Sequence, residues 1–102
     1  MSTNENENSL PLSNGGSVPE VPTFACLIYL SRDAEGKSHA RVANLDSLEE
    51  TAATPRDAMA RVCREFKQRV RSAYAAGETI AWLDPVKEPK PGEQVRSIPV
   101  HL

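Results

Sequence analysis

The residues best suited to bind a partner form a polar row in the second half of the sequence. Arg61, Arg64, Gln68 and Arg71 recur at steps of three and four residues, the spacing that brings side chains to one side of an α-helix. Guanidinium groups in such a row can bind the phosphates of RNA or the carboxylates of an acidic protein. We therefore predict a partner-binding surface along this row.

Aromatic side chains bear on the choice between these two kinds of partner. RNA-binding surfaces usually add exposed rings that stack on bases, whereas aromatic residues make up only 5% of this sequence. Phe66 and Tyr74 fall among the apolar positions of the same segment, so we expect both rings in the core. An acidic protein partner is then favoured at least as much as RNA.

Residues that usually carry catalysis are few and follow no pattern. His39 and His101 could transfer protons or hold a metal ion, but they lie far apart in the sequence. Cys63 falls on an apolar helix side, and the adjacent Glu49 and Glu50 would point to opposite faces of a strand. The sequence contains none of the common phosphate-binding or zinc-protease motifs. We predict a protein that is not an enzyme and holds no metal or cofactor.

Size and composition set further limits. The chain has 102 residues and a formal net charge of −2, which fits one small domain and excludes an enzyme with separate cofactor and substrate domains. Cys26 and Cys63 are too few for a disulfide framework. The longest apolar run, residues 24–30, is far shorter than the roughly 20 residues that span a bilayer, and no signal-peptide pattern opens the sequence. We predict a cytoplasmic protein with reduced cysteines and no membrane contact.

The first 22 residues differ in composition from the rest. They are rich in Asn, Ser, Glu, Gly and Pro, and they contain Glu5, Glu7 and Glu20 but no basic residue. With little to bury, such a segment cannot offset the entropy lost on ordering it. We predict a disordered tail over residues 1–22 and a folded domain over residues 23–102.

Strand patterns open the folded part. Residues 23–31 (TFACLIYLS) predict a strand that is apolar on both faces, which suits a central strand or one whose outer face meets a partner. Residues 33–37, with Gly36, predict a turn into a second strand at residues 38–45. For residues 49–53 the sequence does not decide between a loop and a short third strand.

A helix follows, and it is the clearest element of the sequence. Apolar residues recur at helical spacing from Pro55 to about Ala76, Thr54 is a suitable N-cap, and Gly77 a suitable residue beyond the end. Residues 79–83 then predict a short extended piece. Residues 94–102 predict a last strand, which a proline keeps at the edge of a sheet.

Together these elements predict an α+β fold in the order β-β-β-α-β. Strands joined by short turns pair antiparallel, and one long amphipathic helix covers one face of the small sheet. We expect the partner on the sheet face or at an edge strand. The apolar first strand, if it lies near an edge, would also pair with its copy in a homodimer.

This series of elements resembles the HicB-like family, the antitoxin-type domains of bacterial toxin–antitoxin pairs. The resemblance covers residues 23–102 and rests on four segments: TFACLIYLSRDAEGKSHARVANL as strand, turn and strand, Thr54-Pro55-Arg56-Asp57-Ala58 as helix entry, Gly77-Glu78-Thr79-Ile80 as helix end, and Ile98-Pro99-Val100 as closing strand. The family's Pro-x-x-Pro-Gly-Cys segment is replaced here by Asn44-Leu45-Asp46-Ser47-Leu48.

The resemblance implies a sheet like that of a shortened RNase H fold with one long helix. It also implies a domain without catalytic activity that binds and masks a small RNA-cleaving toxin of the HicA type. Many relatives carry a C-terminal DNA-binding domain, and we expect none in this chain. From the residues alone, the alternative is a small RNA-binding protein that uses Arg61, Arg64 and Arg71.

Overall fold

A computed structural model of the chain describes residues 22–102. The tail predicted for residues 1–22 lies outside these residues, Pro22 excepted. The described residues form an α+β fold with one four-stranded antiparallel sheet and one helix packed against it, which confirms the predicted order of elements. The elements are β1 (Thr23–Arg32), β2 (Ser38–Val42), β3 (Glu49–Ala52), α1 (Pro55–Ala76) and β4 (Gln94–His101).

The strand order in the sheet is β3-β2-β1-β4, and every neighbouring pair is antiparallel. β1 is therefore an interior strand, which pairs with β2 on one side and with β4 on the other. A homodimer formed by β1 pairing with its own copy is excluded by this order, because both of its hydrogen-bonding edges are occupied. β4, which contains Pro99, lies at an edge as predicted.

The connection between β1 and β2 is a tight turn held by one carboxylate. Asp33 Oδ1 accepts hydrogen bonds from the backbone N–H groups of Glu35 and Lys37, both at 2.9 Å. Gly36 adopts a φ of 82°, a left-handed conformation that costs glycine little. This turn fixes the register of the hairpin, in which Arg32 is opposite Ser38.

The core lies between α1 and one face of the sheet. Side chains alternate across β1, so Cys26, Ile28 and Leu30 face the helix. The helix contributes Ala58, Val62, Phe66 and Val70, all fully buried. The remaining core side chains come from β2, from the β2–β3 connection, and from the ends of β3 and β4: Ala40, Val42, Leu45, Leu48, Ala52 and Val100.

Both ends of α1 agree with the sequence prediction. Thr54 is extended, and its hydroxyl oxygen accepts a hydrogen bond of 3.1 Å from the Asp57 N–H, which satisfies one of the free donors of the first turn. At the other end Gly77 has a φ of 70°. The N–H of Gly77 donates to Tyr74 and that of Glu78 to Ala73, so the last carbonyls of the helix are also paired.

Two connections differ from their predicted forms. β2 ends at Val42 because the Asn44 side chain continues the pairing: its Oδ1 accepts from the Leu27 N–H at 3.2 Å, and its Nδ2 donates to the Ala25 carbonyl at 2.8 Å. Residues 77–93 contain no strand, so the extended piece predicted at residues 79–83 forms no ladder. Within it, the Trp82 ring packs against two phenylalanine rings at centroid distances of 5.8 and 5.9 Å.

α1 has polar residues on its outer side, and across residues 22–102 we find no helix with the length and apolar character needed to cross a membrane.

Candidate partner-binding surfaces

The outer side of α1 presents most of the predicted polar row to solvent. Because the buried residues of the helix face the sheet, Arg64, Gln68 and Arg71 project away from it, and all three are exposed. Lys67 lies between them at steps of three and four residues and is half-buried. The structure therefore brings these predicted residues together on one surface, and their role in binding stays a prediction.

Arg61, the remaining member of the predicted row, has a partner within the fold. Its Nη1 donates a hydrogen bond of 3.1 Å to the carbonyl oxygen of Thr51, which points away from β2 at the open edge of β3. Arg69 acts similarly on the β2–β3 connection, where its Nη1 donates to the Asp46 carbonyl at 3.0 Å. Both arginines thus hold main-chain carbonyls beside α1, and Arg61 is turned toward the β3 edge.

The charges of the helix surface are not balanced by its own carboxylates. α1 carries six basic residues and only Asp57 and Glu65 as acids. Within residues 22–102, the ion pairs join His39 to Glu49, Arg41 to Glu93 and Lys87 to Asp46, and none includes a basic residue of α1. The outer side of α1 is therefore a positively charged surface suited to an anionic partner.

Tyr74 corrects one expectation from the sequence. Its side chain was predicted to lie in the core, but it is 57% exposed, whereas Phe66 is fully buried as predicted. The core residues of α1 recur at steps of four, and each such step turns the helix by about 40° beyond a full turn. Four steps after Ala58 the direction has rotated by about 160°, so Tyr74 emerges beside Arg71.

One half of the outer sheet face, which is the face away from α1, is covered by residues 84–93. The Arg41 guanidinium binds both carboxylate oxygens of Glu93, at 2.7 and 2.8 Å, and the Glu88 carbonyl at 2.8 Å. It also lies over the Tyr29 ring, 5.0 Å from its centroid, and the Tyr29 hydroxyl donates to the Lys87 carbonyl at 2.6 Å. We call this set of contacts the Arg41 latch.

The Arg41 latch changes the acidity of its carboxylate. The two side chains are only 12% and 5% exposed, and the hydrogen-bonded guanidinium lowers the pKa of Glu93 to about 2 although burial acts in the opposite direction. The Lys90 N–H adds a further hydrogen bond of 2.6 Å to Glu93 Oε1. Glu93 therefore stays ionised across the physiological pH range, and it holds the covering segment on the sheet.

Within residues 22–102, no segment covers the other half of the outer sheet face, and most of its side chains are apolar. Val95 is the cross-strand neighbour of Tyr29 on this face and is 53% exposed. Val86, next to the residue whose carbonyl binds Tyr29, is 40% exposed. Farther along the two strands Leu27 is half-buried, and Ala25 and its neighbour Pro99 are exposed. We call these five residues the apolar patch.

The open edge of β4 borders the apolar patch but is partly blocked. Leu102 N–H donates to the Pro22 carbonyl, which sets the register: even-numbered β4 residues bond to β1 and odd-numbered ones point outward. Pro99 has no N–H to offer at this edge. The outward Val95 carbonyl accepts a hydrogen bond of 3.0 Å from Arg96 Nη1. Strand addition along β4 is therefore disfavoured.

A groove of about 710 Å³ lies beside the helix row, between α1, the β2–β3 connection and residues 78–81. Gln68 is the one residue of the predicted row in its lining. Leu48 and Ile80 give it apolar walls, and Glu65 stands at its side, where a hydrogen bond with Glu50 raises the pKa of the Glu65 carboxyl. Its lining contains neither histidine nor cysteine, so the groove offers no nucleophile of those types.

The two histidines lie apart from each other and do not share a site with the two cysteines. His39 Nε2 lies 3.0 Å from a Glu49 carboxylate oxygen, whereas His101 bonds to Thr23 at the opposite end of β1. The Cys26 and Cys63 thiols are hydrogen-bonded to each other, which lowers the pKa of Cys63 to about 7 and raises that of Cys26. No group of three or more side chains suited to hold a metal ion occurs among the described residues.

Comparison with known proteins adds no family to these observations. The chain matches no family model, and no curated protein or solved structure is significantly similar to it. The resemblance to HicB-like antitoxins therefore stays a prediction from its sequence segments. The functional proposals below depend on the surfaces of the domain itself.

The geometry also separates two features that were expected to serve one partner. α1 packs on one face of the sheet, so the polar row of the helix and the apolar patch lie on opposite sides of a two-layer domain. A partner confined to the patch would not contact Arg64 or Arg71. Of the predicted row, Arg61 is the residue that turns toward the β3 edge, where the helix side of the domain meets the outer sheet face.

Proposed function

We propose that the protein is a non-enzymatic, HicB-like interaction module of the cytoplasm that binds and masks a protein partner. The partner that the sequence resemblance favours is a small RNA-cleaving toxin of the HicA type. The observation that supports protein binding is the apolar patch, an uncovered half-face of the sheet beside a half that is covered.

The apolar patch is more than a set of scattered exposed side chains. Sheets in small domains bury their apolar faces against another layer, and here residues 84–93 supply that layer only over β2 and part of β1. Val95 lies beside Tyr29 across the strand pair, Val86 precedes the residue that binds the Tyr29 hydroxyl, and Ser97 is the polar side chain between Val95 and Pro99. A cluster of exposed apolar side chains on one sheet face is typical of sites where another protein packs.

A partner that completes the layer would cover Ala25, Leu27, Val86, Val95 and Pro99 together. It would use side-chain packing more than strand addition, since Pro99 and Arg96 obstruct the β4 edge. Its polar contacts would come from the rim, where Lys87 and Glu88 follow Val86 in the sequence. Masking of a toxin would follow if this surface covers the toxin's RNA-binding or catalytic residues.

The experiment combines the full chain with a purified HicA-type toxin and follows cleavage of a labelled RNA. We expect stoichiometric suppression of cleavage, and co-elution of the two proteins in size-exclusion chromatography. Val95→Glu, which places a charge in the apolar patch, should weaken binding at least about tenfold, a loss of about 1.4 kcal/mol. Cleavage that continues at full rate with excess chain would reject the toxin as partner.

Gln94→Glu provides the matched control. It adds the same charge one residue earlier in β4, but on the opposite sheet face, because side chains alternate along a strand. Equal effects of the two variants would show that charge alone, and not the apolar patch, decides binding.

A further inference from the structure

The charged side of α1 has a different chemistry from the apolar patch and lies across the domain from it. Three cationic side chains, Arg64, Lys67 and Arg71, follow one another at steps of three and four residues, and Tyr74 comes three residues later. Within the part of the chain that the structure describes, no ion pair or side-chain hydrogen bond occupies any of these four side chains. All four are available to a ligand.

We infer that this side of α1 is a binding site for single-stranded RNA. Arg64, Lys67 and Arg71 would bind successive phosphates, and Tyr74 would stack on a base. The inference does not depend on the proposed protein partner, because the two surfaces do not overlap.

The dimensions of the row suit a short stretch of an extended strand. With a rise of about 1.5 Å per residue, Arg64 and Arg71 are about 10 Å apart along the axis, and Tyr74 lies about 5 Å farther. Long, flexible basic side chains at this spacing can follow a phosphate backbone over a few nucleotides. The helix surface gives no groove that would enclose a duplex, and an exposed ring can stack only on a base that is free of its own stack.

The exposed tyrosine is what distinguishes RNA from an acidic protein. A row of cations alone would fit carboxylates as well as phosphates. Tyr74 is 57% exposed at the end of that row, and stacking of a base on an aromatic ring contributes much of the affinity of single-strand binding sites.

Gln68 favours RNA over single-stranded DNA. It lies on the same side of α1, four residues after Arg64 and three before Arg71, and it is exposed. Its amide can both donate and accept hydrogen bonds, which matches the 2′-hydroxyl that RNA has and DNA lacks.

Carboxylates near the row are few. Asp57 lies on the same side but seven residues before Arg64, about 10 Å along the axis. Glu65 faces Glu50 of β3 and the groove beside the helix. Glu78, beyond the end of α1, lines the same groove. Among the described residues, the phosphates of a strand bound at Arg64, Lys67 and Arg71 would therefore meet a mainly positive surface.

The test measures the fluorescence anisotropy of a labelled 12-nucleotide RNA, made of adenine and cytosine, during titration with the full chain at several salt concentrations. Three phosphate contacts on a single strand predict a slope of log K against log salt of about −2. The double variant Arg64→Ala/Arg71→Ala should reduce the slope to about −0.7. Arg32→Ala removes one positive charge away from the row, at the exposed end of β1, and it should leave the slope within error of the unchanged protein.

Variants of Tyr74 and Gln68 test the stacking of a base on Tyr74 and the contact of Gln68 with the ribose 2′-hydroxyl. Tyr74→Ala should weaken binding by about 5- to 150-fold, the range for loss of one stacked base, while Tyr74→Phe retains the affinity. Gln68→Ala should remove the preference for RNA over DNA of the same sequence. Circular dichroism checks that each variant is folded.

Several outcomes would overturn the inference. Absence of salt-dependent binding at low salt rejects the site, and unchanged affinity in Tyr74→Ala rejects a stacked base. Displacement of the RNA by polyglutamate at an equal charge concentration assigns the surface to an acidic protein. Equal binding of RNA and DNA by the unchanged protein rejects the ribose contact. Val95→Glu should not alter RNA binding, so failure of this inference and failure of the toxin proposal are separable.

Discussion

Replacing Glu93 by glutamine tests whether the Arg41 latch stabilises the fold through charge. Glu93 is nearly buried and receives two hydrogen bonds from Arg41 and one from the Lys90 N–H. Glutamine keeps the size of the side chain but removes the charge, and it can turn an NH₂ group toward a guanidinium that has only donors. We expect Glu93→Gln to destabilise the protein in a way that depends on pH.

The magnitude follows from the shift in the pKa of Glu93, from a usual value of 4.5 to about 2. A shift of about 2.5 units corresponds to about 3 kcal/mol of stability. Because the folded-state pKa is the lower one, this contribution is complete above about pH 5 and is lost as the pH falls toward 2. Glu93→Gln should therefore cost about 3 kcal/mol at pH 7 and about 1 kcal/mol at pH 3.

Urea unfolding at the two pH values measures this difference. The single tryptophan, Trp82, packs on Phe24 and Phe66, so its fluorescence reports on the folded core. Glu88→Gln is the matched control: its carboxylate is in the same segment and only its main-chain carbonyl binds Arg41. A loss below about 1 kcal/mol at pH 7, or one of equal size at both pH values, would refute the reasoning.

Three further changes have defined outcomes. Asn44→Ala leaves the Leu27 N–H and the Ala25 carbonyl without their partner and should cost about 1–3 kcal/mol in urea unfolding; a neutral result would mean that water replaces the amide. Iodoacetamide should modify Cys63 with a pH midpoint of about 7, and Cys26→Ala should move that midpoint toward the usual thiol range of about 8.5; an unmoved midpoint contradicts the thiol pair as its cause. Pro99→Val restores an outward N–H at the β4 edge and should promote concentration-dependent association in sedimentation equilibrium. Ile98→Val should not, because the backbone groups of residue 98 bond to β1.

The fold was predictable because its signals are local. Thr54, Pro55 and Gly77 mark both ends of α1 through their own backbone preferences, and a run of β-forming residues defines β1. The sequence did not decide whether the short β3 would form, because its residues have weak strand propensity. Pairing with β2, which places Glu50 opposite Ala40, overrides that propensity.

The surfaces were less predictable because they depend on contacts between distant residues. Nothing near Arg41 in the sequence indicates that it binds Glu93, which follows 52 residues later, so the covered half of the outer sheet face could not be anticipated. Tyr74 was misplaced for a simpler reason. Steps of three and four both look helical, but a run of fours alone drifts around the axis, and counting that drift would have placed the ring in solvent.

The pairing of β1 with β4 has a consequence for the folding reaction. The β1–β2 hairpin and α1 form from neighbouring residues, but Thr23 and His101, which meet at the end of the β1–β4 ladder, are 78 residues apart. Closing so long a loop costs entropy before any contact repays it, and such non-local ladders form slowly. Until β4 docks, the apolar central strand has one edge unpaired. We therefore expect partly folded chains, rather than native ones, to be the species that associate with each other.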